Sequence, residues 1–202
     1  MPKATLPPFL TERKHHWKAR SMLNKEFKEV FVAEIISVTG GLLAGSLIAI
    51  YIKQLLLIPG LFILLPGFLE MRGNISGALA ARLGTALDLK FIKPRIKGNI
   101  VVPQNILATF IEVLVVALSL AAVAYAATYL LFGNATLAIF AVALIAAVIS
   151  NIIEAPLTTI ATFWLYRAGH DPNNIMGPYV TTTGDIISVL SLLFAVFVVS
   201  LI

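Results

Sequence analysis

The sequence of 202 residues contains no cysteine and little charge, since only 12% of its residues are Asp, Glu, Lys or Arg. The absence of cysteine excludes a disulfide scaffold, thiolate chemistry and cysteine-ligated metal sites. Hydrophobic residues make up 59% of the chain and the mean hydropathy is +0.94, whereas a soluble domain is about 45–50% apolar and about 25% charged. The composition therefore excludes a soluble or disordered protein and predicts an integral membrane protein.

Hydrophobic runs long enough to cross a bilayer recur along the chain, since a spanning helix needs about 20 mostly apolar residues. We predict five spans, at 30–52, 55–88, 101–132, 135–166 and 176–202. Only Gly133-Asn134, a tight-turn signal, separates the third span from the fourth, which makes them an antiparallel hairpin. The predicted fold class is an all-α membrane bundle in which residues 30–202 form a single five-helix transmembrane domain.

Two Pro-Gly steps interrupt the second predicted span, at residues 59–60 and 66–67. Proline removes a backbone donor and clashes with the preceding turn, so these steps are expected to kink or locally unwind the helix. Unwound backbone at membrane depth is tolerated only where it is buried in protein or faces water. The two steps therefore favour a transport pathway along this span, although a simple kink is the alternative.

Basic residues lie almost entirely on one predicted face of the membrane. Those that precede the first span or lie in the second–third and fourth–fifth loops are Lys3, Arg13, Lys14, Lys18, Arg20, Lys25, Lys28, Lys90, Lys93, Arg95, Lys97 and Arg167. Because cytoplasmic loops carry the excess of Lys and Arg, the basic segment 1–29 is predicted to be cytoplasmic or interfacial, and five spans place the C-terminus outside. The net charge of +5 predicts contact with anionic lipid head groups in the plasma membrane rather than with nucleic acid.

Asp185 is the strongest candidate for a cation ligand, because an ionisable side chain inside a span is costly and marks a functional site by default. On a helix, Thr181, Asp185 and Ser188 share one face at spacings of i, i+4 and i+7. Hard divalent cations prefer carboxylate, carbonyl, hydroxyl and water oxygens, and this stripe offers only such groups. The alternative is a structural carboxylate paired with Arg72 or Arg82.

The second half of the second span carries a further face of oxygen-bearing and small side chains. Its members at helical spacing are Glu70, Asn74, Ala78, Ala81, Thr85 and Asp88, and glycines at 73, 77 and 84 lie on an overlapping face. Small residues allow close helix packing in membranes, and a narrow pore lumen also requires them. The sequence leaves both uses of these glycines open.

The fourth span contributes Glu154, which either lines the pathway beside Asn151 or pairs with an arginine. Weaker candidates for ion contact are Glu34, near the start of the first span, and Glu112 in the third. No phosphate-binding loop, HExxH motif or nucleophile–base set has a plausible placement in the membrane, so we do not expect an enzyme.

Residues 65–85 resemble the second-helix signature of the MgtE magnesium transporter family, in the form seen in its eukaryotic solute-carrier relatives. That signature combines a proline, a short apolar stretch, Gly-Asn and small residues that end in an Ala/Ser-Arg-Leu-Ser/Gly-Thr pattern. Residues 171–185, from Asp171-Pro172 through Gly177-Pro178 to Asp185, resemble the loop and fifth helix of the same family.

The resemblance implies a homodimer with one cation pore on its two-fold axis, lined by the second and fifth helices. It implies that Asp185 of each subunit holds a hydrated Mg²⁺ ion as the transported cargo. By motif position, Asn174, Gly177 and Thr181 would lie near the cytoplasmic mouth or in the lumen, and Asn74 on the pore side of its helix. Bacterial members also carry a cytoplasmic magnesium sensor, which the segment before residue 30 is too short to form.

The sequence thus predicts a Mg²⁺ channel or uniporter, with two alternatives. The acids Glu34, Glu112 and Glu154 suggest a Na⁺- or H⁺-coupled divalent cation exchanger, and a membrane scaffold without transport is the second alternative. Oxygen ligands also accept Mn²⁺, Co²⁺ and Ni²⁺, so the choice among these ions stays open at this point.

Overall fold

The computed structural model describes the backbone of residues 8–201 and the side chains of residues 24–201, and that part of the chain is all helical. Its helices are α1 (Pro8–Ile50), α2 (Ile52–Leu55), α3 (Leu61–Asp88), α4 (Val101–Phe132), α5 (Ala138–Arg167) and α6 (Pro172–Ser200). The bounds of α4 coincide with those of the third predicted run, and α5 and α6 begin within a few residues of the fourth and fifth.

The second predicted run starts later than the sequence suggested. A helix from residue 55 was expected, but α2 ends at Leu55 and α3 begins at Leu61. Between them Gly60 has a φ of 86°, a left-handed conformation that glycine adopts at little cost. α3 then continues through Pro66 and Gly67 without unwinding, so only the first Pro-Gly step breaks the helix.

The first helix runs without a break across residue 30, so secondary structure does not mark the predicted boundary between the N-terminal segment and the first span. α1 packs against α6. Its buried small residues Ala33, Gly40 and Ala44 recur at helical spacing, and Gly40 lies directly against Thr182 of α6. From residue 27 to residue 50, the large apolar side chains of α1 are mostly exposed.

Helix α6 occupies the centre of the bundle, where it packs against α1, α3 and α5. α4 closes the other side by packing on α3 and α5. The predicted α4–α5 hairpin turns at Gly133, whose φ is 72°. Fully buried alanines line the inner faces of α4 and α5, and such small side chains let membrane helices approach closely.

Four helical segments of the described chain are long and apolar enough to cross a membrane, namely Asn24–Ile50, Val101–Phe132, Ala138–Arg167 and Pro172–Ser200. The predicted second span, α3, is not among them because Glu70, Arg72 and Asn74 lower its apolar character. It packs against α4, α5 and α6 nonetheless. Large apolar side chains cover the outer faces of the bundle, as expected where helices face lipid. The chain is therefore a multi-pass membrane protein.

Contacts between loops bring the basic segments to one end of the bundle. Lys25 of α1 donates a hydrogen bond of 3.1 Å to the carbonyl of Gly169, and His170 lies 2.8 Å from the Glu29 carboxylate. Arg167 contacts the Pro94 carbonyl in the loop between α3 and α4. The segments predicted to be cytoplasmic thus meet at a single end, while Gly60, Gly133 and Leu201 belong to the opposite end.

Candidate functional site

A groove of about 580 Å³ runs between α3 and α6. Its walls are Pro66, Leu69, Glu70, Gly73, Asn74, Gly77, Ala78 and Ala81 of α3 and Gly177, Val180, Thr181 and Asp185 of α6. Among the residues predicted from sequence, the structure brings Asp185, Thr181, Asn74, Glu70, Ala78 and Gly177 together here. The two stretches that carried the family resemblance therefore form the two walls of one groove.

Two glycines on α3 lie where the two walls of the groove meet. A Cβ atom added at Gly73 would lie 3.8 Å from Thr181 Oγ1, and one added at Gly77 would lie 3.9 Å from Val180 Cγ2. These are ordinary van der Waals distances, so the missing side chains leave space that forms the floor of the groove. Of the three glycines for which the sequence left close packing and a narrow lumen open, Gly73 and Gly77 border the groove, whereas Gly84 lies against Asn173.

Oxygen atoms dominate the polar lining of the groove. Asn74 Nδ2 donates a hydrogen bond of 3.1 Å to Glu70 Oε1, and Thr181 Oγ1 donates one of 3.1 Å to the carbonyl of Gly177. These bonds use the donors, so the Asn74 carbonyl oxygen, Glu70 Oε2 and the Asp185 carboxylate stay available to a cation. Within the described residues, no group of three His, Cys, Asp or Glu side chains could hold a metal ion.

Asp185 is partly exposed to the groove. The structural alternative paired it with Arg72 or Arg82, but each of these has another partner: Arg72 pairs with Glu154 and Arg82 with Glu112. Within the side chains that the structure describes, the Asp185 carboxylate therefore has no counter-charge. An unneutralised carboxylate beside a second one, Glu70, makes the groove electronegative.

Glu154 does not line the groove. Of the two predicted alternatives, lining the pathway or pairing with an arginine, the structure shows the second. Glu154 is fully buried and forms an ion pair with Arg72, which is also fully buried. Both Arg72 Nε, at 3.0 Å, and Arg72 Nη2 donate hydrogen bonds to Glu154 Oε2. Asn151 was also predicted near the ion. It accepts a hydrogen bond of 3.2 Å from Arg72 Nη1 and donates one of 3.3 Å to Thr109 Oγ1. A buried charge is tolerated only when it is paired, and the arginine supplies that pair.

The weaker candidates also lie outside the groove. Glu112 pairs with Arg82 at 3.4 Å, and both side chains are about 40% exposed. Glu34 is exposed on α1, whose packing partner is α6 rather than α3. Two of the three acids that suggested a coupled exchanger therefore have arginine partners.

Four further predicted residues do not line the groove. Ser188 is fully buried, because beyond Asp185 the same face of α6 packs into the bundle. Thr85 and Asp88 lie farther along α3 toward the basic end of the bundle. There Asp88 accepts a hydrogen bond of 3.2 Å from Asn173. Asn174 donates a hydrogen bond of 3.4 Å to the Glu29 carboxylate of α1. The latter three belong to the end of the bundle next to the groove rather than to its lining.

Pro66, whose Pro-Gly step was predicted to mark a pathway along this span, lines the groove although α3 does not unwind there. Two further wall residues, Leu69 and Val180, were not predicted. Val180 carries no sequence signal, since an apolar residue in an apolar span has nothing to distinguish it.

The chain matches the MgtE family, described as a divalent cation transporter, over residues 65–195. The match covers more than half of the sequence and includes both walls of the groove. The chain belongs to the MgtE divalent cation transporter family. No curated protein and no solved structure matched it. MgtE membership identifies the general activity as divalent cation transport, which agrees with the prediction that the chain is not an enzyme.

Proposed function

We propose that this MgtE protein transports Mg²⁺ across the plasma membrane through a pore built from the groove between α3 and α6. The observation that carries the proposal is the groove itself, in which Glu70 and Asp185 share one lining with oxygen-bearing neighbours. Asp185, Thr181 and Asn74 would contact the hydrated ion, with Glu70, Ala78 and Gly177 beside them. Thr85, Asp88 and Asn174 would lie toward the basic mouth of the pathway.

Electrostatics favours a divalent ion in such a groove. Mg²⁺ sheds water reluctantly and keeps several waters when it binds carboxylates. Among the described side chains, neither carboxylate has a counter-charge. The two therefore repel each other, and a divalent cation relieves that repulsion more than Na⁺ or K⁺ does. A potential of 100 mV, negative inside, contributes about 2.3 kcal/mol per charge and hence about 4.6 kcal/mol for Mg²⁺. Uptake along this potential would need neither ATP nor a coupled ion.

The groove also supports the proposal of a homodimer. Glu70 and Asn74 are exposed on α3, yet polar groups at membrane depth must face protein or a water-filled cavity. A second copy related by a two-fold axis would cover this face and bring a second Asp185 to the same pore. Cation transport by a dimer of this kind also requires α3 to cross the membrane as a fifth span, sheltered by α4, α5, α6 and the partner subunit.

The orientation follows from the basic end of the bundle. Residues 90–97 and Arg167 lie together there, and positive residues favour the cytoplasmic side. We therefore propose a cytoplasmic N-terminus, an extracellular C-terminus and contact of the basic end with anionic lipid.

Reconstituted flux tests the proposal. Proteoliposomes with the full chain and an internal Mg²⁺ indicator should show Mg²⁺ uptake driven by voltage alone, and uptake of Mn²⁺, Co²⁺ and Ni²⁺ should be compared. Asp185→Asn should reduce flux by about tenfold or more, since one charge at close range is worth about 1–4 kcal/mol. Glu112→Gln, outside the groove, is the matched control. Flux that requires a Na⁺ or pH gradient, or that survives Asp185→Asn, would contradict it.

A further inference from the structure

The buried Arg72–Glu154 pair has an uneven geometry. Both hydrogen bonds from the guanidinium end on Glu154 Oε2, while Glu154 Oε1 is buried without a hydrogen-bond partner among the described residues. That second oxygen faces α6, because a Cβ added at Gly184 would lie only 2.7 Å from it. The carboxylate is thus seated directly against the backbone of α6 at Gly184.

Gly184 is the residue before Asp185. It is buried and faces α5, whereas Asp185 is turned toward the groove. A carboxylate that presses on Gly184 therefore lies behind the helix segment that presents Asp185. Any side chain at position 184 would have to displace either Glu154 or α6.

Arg72 connects the same point to the opposite wall. It lies on α3 between Glu70 and Gly73, which both line the groove, and its own side chain points inward to α5. Asn151 and Thr109 extend the network to α4. The pair therefore fills the space where α3, α5 and α6 meet, immediately behind both walls of the groove.

We propose that the Arg72–Glu154 pair, seated against Gly184, positions Asp185 relative to Glu70 across the groove and so sets the affinity for the transported cation. Neither member of the pair contacts the ion, so both are positioning residues. The reason for a buried ion pair is geometric: two guanidinium nitrogens donate to one oxygen of Glu154 and fix its position, whereas apolar side chains in the same place could repack. This inference rests on the proposed function.

Flux through Gly184→Ala tests the inference without removing any candidate ligand. We expect the half-saturating Mg²⁺ concentration to rise by about tenfold, because displacements of the order of 1 Å at a binding centre have large effects. The maximal rate should change much less. Gly45→Ala is the matched control, because a Cβ there meets nothing within 4 Å, and it should leave both values unchanged.

A second substitution should reverse the effect. Glu154→Asp shortens the acid by one methylene and makes room for the added methyl group, so Gly184→Ala combined with Glu154→Asp should recover much of the affinity. General loosening of the bundle would not be repaired by a shorter acid. If Gly184→Ala fails to fold, Arg72→Met with Glu154→Met replaces the pair by apolar side chains, and we expect the same rise in half-saturating concentration.

An unchanged half-saturating concentration in the folded Gly184→Ala protein, or in the double methionine variant, would overturn the inference. So would a rise that Glu154→Asp fails to reduce. The absence of Mg²⁺ flux in the unsubstituted protein would instead contradict the proposed function, so the two failures are distinguishable.

Discussion

Arg72 of α3 and Glu154 of α5 form an ion pair in which both side chains are fully buried. This pairing decides the electrostatics of the neighbouring groove, because it neutralises an arginine that could otherwise pair with Asp185. The positive charge of Arg72 is neutralised inside the bundle by Glu154, so it does not offset the negative charge of the groove.

Removing one member of the Arg72–Glu154 pair should destabilise the protein strongly. Glu154→Met leaves the buried guanidinium without a counter-charge, and we expect a loss of about 3–5 kcal/mol in the free energy of unfolding. The double variant with Arg72→Met removes both charges and should lose much less. Unfolding by denaturant in mixed micelles measures both, and a double variant as unstable as the single one would contradict the expectation.

Filling the floor of the groove should block transport. Gly77→Leu places a branched side chain where a Cβ already meets Val180 at 3.9 Å, so the added atoms enter the lumen. We expect Mg²⁺ flux to fall by about tenfold or more, because displacement of groups at a binding site by about 1 Å already has effects of this order. Gly45→Leu on α1 is the control of equal volume, and equal flux through both variants would show that ions do not pass here.

The absence of cysteine allows a direct test of the dimer. Ala78→Cys places a single thiol on the exposed rim of the groove, and a short bifunctional thiol reagent should cross-link two such subunits in proteoliposomes. Leu118→Cys, on an exposed face of α4, should remain monomeric on a denaturing gel. Cross-linking at position 118 but not at 78 would place the subunit contact on another face.

The turn between α4 and α5 should depend on its glycine. Gly133 has a φ of 72°, which costs a residue with a Cβ about 1–2 kcal/mol, so Gly133→Ala should lower the stability of the bundle. Gly41→Ala is a matched control inside a helix, where the added Cβ meets nothing within 4 Å, and it should be neutral or slightly stabilising. Thermal unfolding in detergent compares the two, and equal melting temperatures would contradict the prediction.

The spacing of polar side chains predicted the walls of the groove, but some residues that share this spacing lie outside it. Asp185, Thr181 and Asn74 stand out because polar side chains at helical spacing are conspicuous in apolar spans. Ser188 shares the same spacing but is buried, since periodicity gives the direction of a side chain and not the point where a groove ends.

Among the helix boundaries, too, one follows from local sequence and another depends on tertiary packing. Gly133-Asn134 predicted a turn from local chemistry alone, and the turn lies there. The start of α3 at Leu61 rather than near residue 55 depends on the left-handed conformation of Gly60. Glycine permits that conformation without requiring it, so packing at this end of the bundle had to select it.

The sequence by itself determined that the chain is a multi-pass helical membrane protein of a divalent cation transporter family, because hydrophobic length and local motifs are properties of consecutive residues. Only the tertiary structure decided the partners of the acids. Glu154 and Glu112 pair with arginines 82 and 30 positions away in the chain, whereas Asp185 has no such partner among the side chains that the structure describes. Such pairing depends on which helix faces meet, and no local pattern encodes the distance between two faces of different helices.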